Sequence, residues 1–244
     1  MTPQPWAVTA QNLAEHANNP IHTDAGARAA GFAQALVAGV TTYAYLTHPI
    51  VEAWDVAWLE RGTADVSFTA PVFLHDDVRC MPEVDGDDTT VTAVVDGRAR
   101  VTMRAGWHDD VPPSSLSDGE LLRTRHIRLE GEYGDEYGLR AGDDLDLYRR
   151  LGVVHPAVWP AFANHLVHTE VANGSWIHTR SIIRHHAPAP VGSIADLSGA
   201  VVRRFDSAAG VRAVLDVRIE VDGRVVASLE HHAIVDVTRR ATSP

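Results

Sequence analysis

Residues 18–39 combine side-chain types that could perform acid–base chemistry on a carbonyl compound. His22 follows the turn sequence Asn19-Pro20, in which proline fixes its own φ and pushes Asn19 out of the helical region. A neutral imidazole can hold a water as a general base, a role worth about 10²–10⁴ in rate. Gly39, seventeen residues further on, could direct its backbone N–H at a carbonyl oxygen. The stretch therefore predicts a base and an oxyanion donor that act on one substrate.

Each of these residues also has a structural explanation. The ring of His22 could tie the turn to a backbone carbonyl, and Gly39 could be a glycine that permits close helix packing. Asn19 is expected to brace the turn through its own side chain, as asparagine does before proline. Asn18 could orient a water or hydrogen-bond the histidine without transferring a proton. Both explanations remain open at the level of the sequence.

The segment NPIHTD, followed by Gly39 within LVAGV, resembles the hydratase motif of the MaoC-like, (R)-specific enoyl-CoA hydratase family. The resemblance implies the hot-dog fold, an antiparallel sheet wrapped around a long helix. It also implies that an Asp and His22 activate a water that adds across the double bond of an acyl thioester, while the Gly39 N–H polarises the carbonyl. The family pattern D-x-N-P-x-H places the acid at position 17, where this chain has Ala17. The implied Asp/His pair is therefore incomplete.

Three carboxylates could replace the missing acid. Asp24 lies two residues past His22, but an acid there is also the expected N-cap of a helix, favoured by the helix dipole. Glu15 could fold back from the preceding segment or lie on a solvated helix surface. Asp143 could act only if the second half of the chain brought it against His22, and we expect it instead to cap a helix or face water.

The hydrophobic pattern changes from helical spacing to strict alternation after Gly62. We expect a helix over residues 25–60, broken near His48-Pro49 because proline stops or kinks a helix. The strands that follow are predicted at residues 64–68, 78–84, 89–95 and 98–107. The same order recurs in the second half, with a helix at 155–171 and strands at 176–183, 198–205, 211–221 and 225–237. Self-similarity at half the chain length is strong evidence for a repeated unit.

The repeat and the resemblance together predict an α+β fold of two tandem hot-dog repeats that form a pseudo-dimer. The N-terminal repeat is expected at residues 1–110, a linker at 111–130 and the C-terminal repeat at 131–240. Before the second helix, Asp143 falls at the position of the family's acid and Tyr148 at that of its histidine. One half of the chain keeps the His, and the other half keeps the Asp.

Composition excludes several classes of partner. The 244 residues carry a formal charge of −11, which argues against a nucleic-acid surface. An anionic coenzyme could still bind through a local basic patch, for which Arg61 is a candidate or simply an exposed arginine. Trp159 and Trp176 could line an acyl tunnel or belong to the core. No run of about 18 apolar residues is present, so no membrane span is expected.

The single Cys80 excludes an intrachain disulfide and fits a reducing compartment, and the N-terminus lacks the pattern of a secretory signal. A cytoplasmic location is therefore expected. The 14 histidines lack the spacing of a compact zinc motif, and adjacent histidines on a strand point to opposite faces. We expect no metal and no cofactor, since CoA would be part of the substrate.

Three functions follow as hypotheses. The first is a lyase of fatty acid metabolism, a hydratase or dehydratase that acts on a 2-enoyl thioester of CoA or of a carrier protein. The second is a non-catalytic protein that binds acyl-CoA or another hydrophobic ligand, motivated by Ala17 and Tyr148. The third is an acyl-CoA thioesterase that uses Asp24 or Glu170 as its carboxylate. Exposed sheet edges of such a fold could pair again, which would give a homodimer.

Overall fold

In the described part of the chain, eleven strands form one continuous antiparallel sheet. The computed structural model describes residues 1–108, 112, 116 and 119–237. The strands of the first half are β1 (Trp6–Thr9), β2 (Gly62–Phe68), β3 (Asp77–Asp85), β4 (Asp88–Val95) and β5 (Arg98–Trp107). Those of the second half are β6 (Glu120–Leu121), β7 (Arg125–Arg128), β8 (Ile177–His185), β9 (Ile194–Ser207), β10 (Gly210–Val221) and β11 (Arg224–Val237).

The strand order shows the internal repeat. It runs β1-β3-β4-β5-β2-β8-β11-β10-β9-β6, and β7 also pairs with β9. Read outward from the centre, β2, β5, β4, β3 and β1 have the same connectivity as β8, β11, β10, β9 and β7. β2 pairs with β8 from Thr63↔Arg184 to Ser67↔Arg180, which joins the two halves edge to edge. The prediction of two tandem hot-dog repeats in a pseudo-dimer is confirmed.

Two central helices pack against this sheet. The helices are α1 (Asp24–Ala29), α2 (Gly39–Trp54), α3 (Val56–Arg61), α4 (Tyr137–Ala141), α5 (Leu147–Leu151) and α6 (Val158–Leu166). α2 is the central helix of the first repeat, and every side chain from Val40 to Val51 is buried. α6 is its counterpart and continues into one π-helical segment, Val167–Val171. No helix in the described part of the chain is long and apolar enough to cross a membrane.

The prediction of one helix over residues 25–60 that breaks near Pro49 is wrong. α1 ends at Ala29, and Gly31 follows with a φ of 88°, in the left-handed region that favours glycine. A loop then leads to α2, which runs through Pro49 without ending. Proline removes one helical hydrogen bond, and the burial of the surrounding side chains outweighs that local cost. The second break comes at Asp55, whose side chain caps α3 by accepting from Val56 N–H.

The range predicted as a linker contains two short strands. β7 pairs with β9 from Arg125↔Leu197 to Arg128↔Ile194, the place that β1 takes on β3 in the first repeat. β6 pairs with β9 further along the same strand. Residues 109–111, 113–115, 117–118 and 238–240 of the predicted divisions lie outside the described residues.

Candidate active site

Two adjoining cavities lie at the N-terminal end of α2. The first has a volume of about 260 Å³, and many of its walls are apolar, among them Phe32, Leu36, Phe68 and Ile234. The second, of about 430 Å³, is lined mainly by polar and charged side chains, among them Glu15, His16, Arg125 and His165. Four residues line both cavities, namely Asn19, His22, Asn164 and Trp176. Because these four come from both repeats, the cleft is built by the whole chain.

Local hydrogen bonds hold the turn that carries His22. The side chain of Asn19 accepts from Ile21 N–H at 3.5 Å and donates to the carbonyl of Trp176 at 2.9 Å, so it braces the turn as predicted. Thr23 caps α1 by accepting from the N–H of Gly26. A Cβ at residue 26 would lie 2.0 Å from the carbonyl oxygen of the preceding proline, so glycine is required for this close approach.

His22 is held in one tautomer. Its Nδ1 lies 2.9 Å from the carbonyl oxygen of Leu36, and since a carbonyl only accepts, Nδ1 carries the proton and Nε2 carries the lone pair. Leu36 is itself fixed, because its N–H donates to the carbonyl of Ile21. Burial lowers the pKa of His22, against a smaller opposing effect of the hydrogen bond to Leu36. The ring is therefore a neutral base at pH 7, and the same bond ties the turn down.

Gly39 is the first residue of α2 and lines the first cavity. Its N–H has no acceptor inside the helix, and it lies at the positive end of the dipole of a 16-residue helix. A Cβ at this position would lie 2.9 Å from Nδ1 of His178 and 3.2 Å from the ring of Phe68. Close packing thus requires glycine here, and among the described residues the Gly39 N–H has no acceptor.

The hydrogen-bond partners of two of the predicted site residues are groups other than His22. Asp24 accepts from the N–H of Ala35 at 2.9 Å, and its side chain is 59% exposed beside Arg28. Asn18 donates to the carbonyl of Glu15 at 3.4 Å and lines the second cavity but not the first. Among the residues that the structure describes, no carboxylate is hydrogen-bonded to His22.

The other two substitute acids are held by their own partners. Glu15 lines the second cavity and pairs with Arg140 at 2.6 Å. Asp143 is fully buried, 3.0 Å from Nε2 of His155, and accepts from the N–H of Leu145. The expectation that Asp143 faces water or caps a helix is wrong, because the imidazole and the backbone amide enclose its carboxylate.

Of the predicted substrate contacts, Asn19 and Trp176 line both cavities. Arg61 and Trp159 line neither one. The guanidinium of Arg61 lies 5.0 Å from the ring centre of Trp107, and Trp159 is buried in the core. Glu170, the second carboxylate of the thioesterase hypothesis, accepts from Arg123 N–H and from Arg125 outside both cavities.

Two residues of the second repeat were not identified from the sequence. Asn164 on α6 lines both cavities, and its side-chain oxygen has no partner among the described residues. His178 on β8 lines the first cavity with its ring 4.4 Å from that of Phe68. Neither belongs to a local motif, so only the tertiary fold brings them to His22 and Gly39.

One group of side chains has the composition of a metal site. Ligand atoms of His48, Asp143 and Asp144 lie within 4.8 Å of one another. Nε2 of His48 lies 2.8 Å from the carboxylate of Asp144, and both oxygens of Asp143 already have protein partners. The absence of a bound metal stays a prediction.

Comparison with known proteins finds a family match for the first repeat and a similarity of fold for the whole chain. Residues 3–105 match the family described as MaoC like domain. No curated protein matches the chain in sequence. A MaoC-like dehydratase structure has 14% identity and a TM-score of 0.60, and the match covers 96% of this chain and 98% of that one.

Two further structures extend the similarity of fold. A conserved hypothetical protein from Mycobacterium tuberculosis, described as a double hotdog fold, has 13% identity and a TM-score of 0.67, with 96% of each chain covered. An acyl-ACP thioesterase from Bacteroides thetaiotaomicron has 10% identity and a TM-score of 0.52, with 94% of this chain and 97% of that one covered. At such identities the likeness shows the fold alone. Residues 3–105, which contain His22 and Gly39, thus match the MaoC-like domain, and the chain has the double hot-dog fold.

Proposed function

We propose that this protein catalyses the reversible addition of water to a 2-enoyl thioester. One observation carries the proposal: a histidine whose tautomer leaves Nε2 as a base lines the same cavity as the first N–H of α2. The match of residues 3–105 to the MaoC-like family supports the assignment of these two groups, His22 and Gly39.

The reaction needs one base and one oxyanion donor. Nε2 of His22 takes a proton from water while the water oxygen forms a bond to C3 of the enoyl chain. The electrons of the double bond move to the thioester oxygen, which accepts a hydrogen bond from the Gly39 N–H. The imidazolium then returns its proton to C2, so that H and OH have been added and His22 is neutral again. Dehydration is the same path in reverse.

The environment of His22 affects the expected rate of this reaction. Its lowered pKa makes the imidazolium a good acid for the return of the proton and a weak base for the first step. No carboxylate among the described residues stabilises the charged ring. Asn164 lines both cavities, and its side-chain oxygen has no partner in the described structure, so it is the candidate to hold the water. We therefore expect slow turnover.

The cavity favours a short acyl chain. Its volume of about 260 Å³ lies just below the range of typical ligand pockets, roughly 300–1,000 Å³. Its apolar walls suit the hydrocarbon, and the adjoining polar cavity suits the thioester and its carrier. Crotonyl-CoA is the first substrate to test, and a long-chain enoyl-CoA should be turned over less efficiently.

The test is the loss of enoyl absorbance with crotonyl-CoA. His22→Asn keeps a donor for the carbonyl of Leu36 and removes Nε2, so the turn should persist while turnover falls at least about 10²-fold. His232→Ala is the matched control, since that ring bonds Glu230 and lines neither cavity. Full turnover in His22→Asn would refute the proposal.

A non-catalytic binder is the second candidate. The observation in its favour is that His22 has no carboxylate partner among the described residues, so half of the family's pair is missing. Wild-type protein that binds crotonyl-CoA in calorimetry without any loss of enoyl absorbance would establish this alternative. Release of free thiol would indicate thioester hydrolysis instead, although Asp24 and Glu170 both lie outside the cavities.

A further inference from the structure

Strand β8 contains a β-bulge beside the cleft. Its register with β11 shifts, so that Arg180 pairs with His232 and His178 pairs with Ala233, and Thr179 has no partner in the ladder. In a regular strand, residues three apart point to opposite faces. The inserted residue places His178 and Ser181 on the same buried face.

A buried triad, His178, Ser181 and His231, results from this bulge. Nε2 of His178 lies 2.8 Å from the hydroxyl of Ser181, and the same hydroxyl lies 2.8 Å from Nδ1 of His231. His178 is 7% exposed, and the other two are fully buried. The outer ring nitrogens, Nδ1 of His178 and Nε2 of His231, have no hydrogen-bond partner among the described residues.

Two neutral arrangements satisfy the hydroxyl of Ser181, because it donates one hydrogen bond and accepts the other. In the first, His231 Nδ1–H donates to Ser181, Ser181 donates to Nε2 of His178, and His178 carries its own proton on Nδ1. In the second, every bond is reversed, and His231 is left with an unpaired Nε2–H in the core. An oxygen acceptor placed at His178 Nδ1 therefore selects the first arrangement.

That nitrogen lies beside Gly39, whose N–H is the proposed donor to the thioester oxygen. It is 2.9 Å from the point where a side chain at Gly39 would begin, and both residues line the first cavity. We propose that His178 Nδ1–H is a second hydrogen-bond donor to the thioester oxygen, beside the N–H of Gly39. Ser181 and His231 are positioning residues that hold the required tautomer. This inference rests on the proposed acyl-thioester function.

Burial keeps the donor neutral. It lowers the pKa of His178 to about 3, against a smaller opposing effect of the backbone of Arg180. A neutral imidazole N–H stabilises the charge that develops on the oxygen without giving up its proton, so the reaction needs no additional proton transfer. Removal of one such donor typically lowers kcat about 10²–10³-fold.

The experiment measures polarisation of the carbonyl directly. Butyryl-CoA has no double bond, so it reports binding without turnover, and a ¹³C label on its carbonyl isolates that stretching band in infrared difference spectra. The bound band should move to lower frequency in the wild type. His178→Gln keeps an amide near Ser181 but removes the group at Nδ1, whereas His178→Asn places an amide at the Nδ1 position.

We expect His178→Gln to lose part of the band shift and to lower kcat for crotonyl-CoA about 10²–10³-fold with little change in KM. His178→Asn should retain most of the shift. Ser181→Ala should lose part of it, because the tautomer of His178 is released, and this variant serves if His178→Gln does not fold. An unchanged shift in Ser181→Ala or His178→Gln would overturn the inference.

The outcomes separate this inference from the proposed function. A band shift that depends on His178 in a protein without crotonyl-CoA turnover would support the donor and refute the hydratase. Turnover that depends on His22, together with a band shift that His178→Gln leaves unchanged, would support the hydratase and refute His178 as a donor. No binding of butyryl-CoA by the wild type would refute both.

Discussion

His185 on β8 is a histidine that the fold holds uncharged, and its replacement should change how stability depends on pH. The side chain is 1% exposed, and its ring lies 4.7 Å from that of Trp58. Its Nε2 has no hydrogen-bond partner among the described residues. Burial, with smaller contributions from neighbouring histidines, lowers its pKa to about 3.

The sign and the size of the effect follow from linkage. An unfolded histidine titrates near 6.5, so between about pH 6.5 and pH 3 the unfolded chain binds a proton that the folded chain does not. The contribution of neutral His185 to the free energy of unfolding is therefore fully present above pH 6.5 and is lost as the pH decreases toward 3. At about pH 5 the solution lies roughly 1.5 pH units below the pKa of the unfolded histidine, which lowers the free energy of unfolding by about 2 kcal/mol at 1.36 kcal/mol per unit.

The assay is urea denaturation of the wild type and of His185→Phe at about pH 7.5 and about pH 5. Phenylalanine conserves the ring beside Trp58 and cannot take up a proton. All other buried histidines are present in both proteins, so their contributions cancel in the comparison. The wild type should lose about 2 kcal/mol more than the variant over this interval. Equal losses in the two proteins would refute the argument.

Two further predictions concern the cleft. Gly39→Ala places a Cβ 2.9 Å from Nδ1 of His178, so we expect a loss of about 1–3 kcal/mol in urea melts and weaker butyryl-CoA binding in calorimetry. Unchanged stability would show that the close packing is not required. Asp24→Asn retains an acceptor for Ala35 N–H and breaks an exposed pair with Arg28, so stability should change by less than about 0.5 kcal/mol. Its crotonyl-CoA turnover should be unchanged, and a loss would identify Asp24 as the substitute acid.

The strands were predictable because their signals are local. Alternation gave β4 and β5 to within a residue or two, and Asp-Gly pairs marked their turns. Asp96-Gly97 has φ values of 50° and 71°, and Asp222-Gly223 has 52° and 75°, as a two-residue hairpin turn requires. The helix boundaries were less predictable, since Pro49 is unfavourable locally and its segment is buried on all sides only in the folded chain.

The site residues likewise divide into those that the sequence could identify and those that it could not. His22 and Gly39 belong to one local motif, and the hydrogen bond of His22 to Leu36 stays within that segment. His178 reaches the cleft because β2 and β8 are neighbours in the sheet and because β8 has a bulge. Neither the order of strands nor the bulge leaves a pattern in the sequence around residue 178, so this residue could only be found in the structure.

Equivalent hydrogen bonds in the two repeats show why the second repeat has no matching donor. Val37 N–H donates to Val72 in the first repeat, and Val154 N–H donates to Ala189 in the second. Gly39 lies two residues after Val37, and the residue two after Val154 is Pro156, so Pro156 corresponds to Gly39.

Proline has no N–H, so residue 156, two residues before α6, cannot polarise a carbonyl. His155, the residue before this proline, is hydrogen-bonded to Asp143, and neither side chain has any exposed surface. The carboxylate that the second repeat keeps is therefore enclosed in a core beside a helix that lacks the donor, and it is not available to complete the pair of His22. In this chain the second repeat contributes to the cleft through its sheet and through α6, with Trp176, His178 and Asn164.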